Sequence, residues 1–123
     1  MQEKELIIKK KFILAVQNHK KNNFYEAEKN YIEIIKINPN HIESLFLLAS
    51  LSAQINKLKN ALILYKKVIL LKPRHHRAVN NLCVLLAESK LVSVTQIDRN
   101  FIKNLLLFLF SRNDIEHKDL FLI

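Results

Sequence analysis

The sequence predicts an all-α chain assembled from a repeated unit, and three observations carry that expectation. None of its 123 residues is glycine, and proline occurs only as Pro39 and Pro73. All-β folds need glycine for primed hairpin turns, and phosphate loops need it where backbone approaches phosphate, so both are excluded. Half of the residues are apolar and a quarter charged, which suits a folded chain and is too apolar for a disordered one. The third observation is a period of 34 residues. Ala27 and Ala61, Tyr31 and Tyr65, and Pro39 and Pro73 recur at that interval, as do Leu14-Ala15, Leu48-Ala49 and Leu82-Cys83.

The apolar pattern places helices near 4–20, 24–37, 42–54, 58–72 and 75–90, joined by loops of a few residues. Glu26 and Glu28 sit at a helix start, where acidic side chains suit the macrodipole. Ala27 and Ala61 fall where two helices cross, since a small side chain permits close approach. Tyr31 and Tyr65 lie one turn later on the same face and fill the gap to the next unit. Pro39 and Pro73 end each second helix, because the residue before a proline is pushed out of the α region.

A 34-residue unit with small, aromatic and proline positions in this order resembles the tetratricopeptide repeat. The resemblance implies antiparallel helix pairs stacked into a right-handed superhelix, a solenoid. Asn22 and Asn56 stand where the family usually has glycine, and Asn is the next residue to tolerate a left-handed backbone. The family's large aromatic early in the first helix is absent, with Lys11, Leu45 and Val79 in its place. Units are expected at 8–41, 42–75 and, in part, 76–92, followed by C-terminal helices over 93–123. The third unit begins regularly with Ala78, Leu82 and Cys83, then departs, with Thr95 at the helix-crossing place.

A further helix is expected from Thr95 to about Ser111, with Asp98 in a capping-type start. Its stripe of Ile97, Phe101, Ile102, Leu105, Leu106, Phe108 and Leu109 is wide enough to need cover on two sides. Asn113 and Glu116 begin another helix, and the sequence stops at Leu120 to Ile123, within its buried turns. That ending suggests the N-terminal piece of a longer protein, whose exposed apolar end, residues 97–123, would dimerise in isolation.

Twenty Lys and Arg against 11 Asp and Glu leave a formal net charge of +9. Such a balance fits a nucleic-acid or membrane-surface partner. It equally fits codon composition, for Lys, Asn and Ile supply 44 of the residues (16, 13 and 15). Sixteen Lys against four Arg leave few of the bidentate forks that read guanine. The expected arrangement is charge spread over outer faces, with no specific nucleic-acid partner. The single Cys83 cannot form an internal disulfide and suits a reducing cytoplasm. Residues 1–11 lack the apolar core of a signal peptide. The longest apolar run, Leu105 to Phe110, is six residues, far short of the ~20 that span a bilayer.

No catalytic residue, cofactor or metal site is expected. His76 and Cys83 are seven apart on one helix face, but further ligands at suitable spacing are missing and His41 lies on a different loop. His75 and His76 read as solvated turn residues after Pro73. Cys83 reads as a buried, inert residue at a helix-packing position.

What remains is a surface. The resemblance implies that the first helix of each pair lines a concave groove for an extended peptide or a partner helix. The family's groove positions fall on Lys9, Phe12, Val16 and His19, then Glu43, Phe46, Ser50 and Ala53, then Arg77, Asn80, Val84 and Ala87, with Asn81 at the edge. Chaperone-binding members clamp a terminal carboxylate with Lys, Asn, Asn, Lys and Arg. Here Phe12, Val16 and Leu47 replace the first three, only Arg77 keeps a cation, and Asn81 stands at the last Arg. A chaperone-tail receptor is therefore not expected, and Phe12, Val16 and Phe46 suggest either an apolar groove for a helix or for the rest of the same chain, or ordinary packing between helices. The expected function is a non-catalytic, cytoplasmic protein-interaction module or scaffold. The alternative is the N-terminal repeat region of a larger enzyme, since bacterial proteins with such repeats often continue into a methyltransferase, sulfotransferase or glycosyltransferase. Nucleic-acid binding would need a basic groove, and this one mixes Lys9 and Arg77 with Glu43 and Glu88.

Overall fold

The computed structural model describes residues 2–88, which form five helices and no strand: α1 (Gln2–Lys20), α2 (Phe24–Ile37), α3 (Ile42–Gln54), α4 (Leu58–Leu71) and α5 (His76–Glu88). The helices expected over 93–123, and the dimer surface at 97–123, lie outside the described residues.

Two asparagines stop the first helix of each pair. Asn22 and Asn56 have φ of 63° and 66°, the only positive values among the described residues. Behind each, two backbone bonds close the helix end. The N–H of Asn23 donates to the Asn18 carbonyl (2.8 Å) and that of Asn22 to His19 (3.1 Å). One period later, Lys57 donates to Ser52 (2.7 Å) and Asn56 to Ala53 (3.2 Å). This is the Schellman closure, and its left-handed residue is normally glycine. A chain without glycine uses the non-glycine residue least penalised there.

The closure turns the chain back, so α1 packs along α2 and α3 along α4, with lighter contacts from α2 to α3 and from α4 to α5. The result is an all-α helical repeat. Close approach is set by Ala15, Ala27, Ala49, Ala61 and Ala78, all fully buried. Tyr31 joins Ala15 and Ala27 to Leu48 and Leu51 of α3, and Tyr65 joins Ala49 and Ala61 to Ala78 and Leu82 of α5. Each tyrosine therefore ties one pair to the next, as its position predicts.

Stacking has a measurable edge. Leu14, Leu48 and Leu82 occupy the same place in successive units and are 50%, 6% and 0% exposed. A preceding pair covers Leu48 and Leu82, and none covers Leu14 among the described residues. Full burial of a leucine contributes about 1.5–3 kcal/mol, and α1 forgoes much of that at Leu14. Cys83 departs from expectation at the other edge. It stands where Ala15 and Ala49 are fully buried, yet it is only half-buried. Ala15 and Ala49 are sealed by α2 and α4, and α5 has no such second helix within the described residues. Partial burial still pushes the Cys83 thiol up from its ordinary range, away from the reactive thiolate.

Candidate partner-binding face

The first helices α1, α3 and α5 carry side chains in register, one period apart. Lys9, Glu43 and Arg77 form one row, and all three are exposed. Phe12, Phe46 and Asn80 form the next, then Val16, Ser50 and Val84, then His19, Ala53 and Ala87. The face is thus a ladder of four rows whose chemistry changes from unit to unit.

The second row is not the apolar groove floor expected from sequence. Phe12 is half-buried, edge-on to Tyr31 (6.5 Å between centroids) and to His41 (5.6 Å). Phe46 is buried, 4% exposed, against Tyr65 (6.0 Å) and His75 (4.8 Å). The Arg77 guanidinium covers it, 4.8 Å from the ring centroid. Such an aromatic ring draws the cation by its quadrupole. Phe46 is therefore core, and Asn80 is the exposed residue of this row.

The third row is wired to the tyrosines. Ser50 Oγ donates to the Phe46 carbonyl (3.2 Å) and lies 3.1 Å from the Tyr65 hydroxyl. Asn81 Nδ2 donates to that same hydroxyl at 3.3 Å. Val16, the residue in register with Ser50, is half-buried and apolar. Tyr31 is instead met by His19 Nδ1 (3.1 Å), and burial pushes its phenol up to about 12, so it stays a hydroxyl near neutrality.

Two histidines have a role that sequence reasoning missed. His41 Nδ1 accepts the Ser44 N–H (3.3 Å) and meets the Ser44 hydroxyl (2.8 Å), capping α3. His75 Nδ1 accepts the Ala78 N–H (3.1 Å) at the start of α5. Each cap also lies against the phenylalanine of the preceding first helix. His75 is thus a half-buried structural residue, not a solvated turn residue, while His76 is exposed. The signal was available, since His41 and His75 are themselves 34 residues apart. Away from the face, Lys57 pairs with Glu28 (2.9 Å) and Lys11 with Glu33, whose carboxyl Lys11 holds below the usual range.

The fourth row opens a pocket. Ala53, Asn56, Leu58, Tyr65, Asn81, Val84 and Leu85 line a space of about 400 Å³ between the α3–α4 turn and α5. Among the described residues no three His, Cys, Asp or Glu side chains gather as a metal site, and no helix is long and apolar enough to cross a membrane.

A ladder of in-register side chains on stacked helix pairs defines a helical-repeat interaction module. Residues 42–75, which are α3, α4 and their flanking turns, match the family model of the tetratricopeptide repeat. That repeat belongs to a class of modules that bind protein partners. No curated protein matches the sequence.

Proposed function

We propose that the chain works as a non-catalytic interaction module, organised as units at 8–41, 42–75 and 76–92, and takes a protein or peptide partner along the face of α1, α3 and α5. The observation that carries this is the exposed row Lys9, Glu43 and Arg77, held in register by the 34-residue repeat. The alternation of sign along it suits a polypeptide of mixed charge. It offers a nucleic-acid backbone no continuous cationic track. Val16, Ser50, Asn80 and Asn81 supply the adjoining contacts, and Phe12 and Phe46 stiffen the face from beneath.

Site-specific photo-crosslinking tests the proposal. A photoreactive residue at Asn80 or Glu43 should yield discrete polypeptide adducts in the native host. The same residue at Ile63 or Tyr25, exposed on the second helices α4 and α2, should yield none. Equal adducts from both faces would refute the assignment of the face.

A further inference from the structure

The pocket at the end of α3 arises from two sequence differences between the helix pairs. One period earlier, His19 stands at the place of Ala53, and Phe24 at that of Leu58. The His19 ring lies edge-on to Phe24 and Tyr31, 6.2 and 5.9 Å between centroids. Its Nδ1 meets the Tyr31 hydroxyl, and its Nε2 meets the amide oxygen of Gln54. The first site is therefore a slot for one planar ring, closed at its polar ends by a phenol and a carboxamide.

The second site keeps the slot and loses the ring. Tyr65 again supplies the phenol, and a carboxamide comes from a different register position, Asn81, one period after Leu47 rather than after Gln54, while Ala53 and Leu58 leave about 400 Å³ open. That volume falls within the usual range of about 300–1,000 Å³ for sites that bind small groups. Asn81 spends its Nδ2 on Tyr65, and its Oδ1 accepts no hydrogen bond among the described residues. An aliphatic occupant would fill the space but leave that oxygen without a donor. Among the described residues that line it, none carries a charge.

We infer that this pocket receives an aromatic side chain of the protein partner, its ring bearing an N–H or O–H, where His19 sits one repeat earlier. The occupant rests on the partner-binding function proposed above and names the residue type that the face selects.

Amide-resolved NMR of the whole 1–123 chain tests it with four probes: 4-methylimidazole, 3-methylindole, p-cresol and toluene. Each of the first three should shift the amides of Ala53, Tyr65, Asn81 and Val84 saturably, and toluene should bind more weakly than any of them. Ala53→His, which fills the slot from within, should abolish the shifts. Leu58→Phe, which narrows it, should weaken them and serves if Ala53→His does not fold. No saturable shift, toluene binding as well as the polar rings, or binding unchanged in these variants would each overturn the inference. Adducts at Asn80 alongside failure of every probe would leave the interaction module standing and remove only this pocket's role.

Discussion

The first and second helix pairs share a backbone and differ in what fills it. Both close their first helix on a left-handed asparagine, cross at a buried alanine, lock with a tyrosine and hand on to a histidine cap. Yet His19 plugs one slot and Ala53 leaves the next open. The periodic residues are those whose conformation or volume the fold dictates. The residues at 19 and 53 sit at the end of the first helix, beyond the alanine crossing, where His19 packs on Phe24 and Tyr31 and Ala53 does not reach. Repetition thus fixes the scaffold, and departure from repetition makes one unit chemically distinct.

The strongest test of that equivalence is overpacking. Ala27→Leu and Ala61→Leu should each lower unfolding free energy by about 1–3 kcal/mol in denaturant titration, because both sites are fully buried. An unchanged midpoint for one of them would show that the two crossings are not alike. Next in size are the turns. Asn22→Ala and Asn56→Ala should each cost about 1 kcal/mol, for alanine has no polar group to offset the left-handed conformation. The corresponding glycine variants should be neutral or slightly stabilising, and a large loss in either would break the symmetry between the turns.

Much of this scaffold was legible in the sequence because its causes are local or periodic. The period, the asparagine turns, the alanine crossings and the helix limits within a residue or two all follow from residue type and spacing. The site was less legible. Phe46 reads as groove from its register alone, since the register does not reveal that Arg77 and His75 close over it. Cys83 reads as buried because Ala15 and Ala49 are, but burial belongs to the covering helix and not to the residue. The pocket was missed because its cause is a difference between units, Ala53 for His19, whereas a search for repeats attends to what agrees.

Smaller effects sharpen the contrast between the two tyrosines. Tyr65→Phe strips a partner from Asn81 and Ser50 together, whereas Tyr31→Phe strips one only from His19. Each should cost about 0.5–1.5 kcal/mol by thermal unfolding, with Tyr65→Phe the larger. Equal losses would mean that the polar wall of the open pocket is no better organised than that of the filled one.

The smallest expected effect concerns the His75 cap and appears only with pH. An imidazole can accept a backbone N–H at Nδ1 only while that nitrogen is unprotonated. At His41 the Ser44 hydroxyl lies 2.8 Å from Nδ1 and the Glu43 carboxylate 3.7 Å from Nε2. At His75 burial first, then the positive charges of Lys72, Arg77 and His76, oppose protonation and lower its pKa from the ordinary 6.5. A histidine with a depressed folded-state pKa favours its neutral form on folding. Its contribution is therefore whole above 6.5 and lost as the pH falls from there through the lower folded value. Acid should loosen the start of α5 by less than about 1 kcal/mol, within the usual range for a lost N-cap. Amide exchange at Ala78 and Val79 should accelerate below that pH beyond its intrinsic dependence. His75→Asn, which caps without titrating in this range, should remove the excess, and an excess that persists in His75→Asn would place the acid-sensitive group elsewhere.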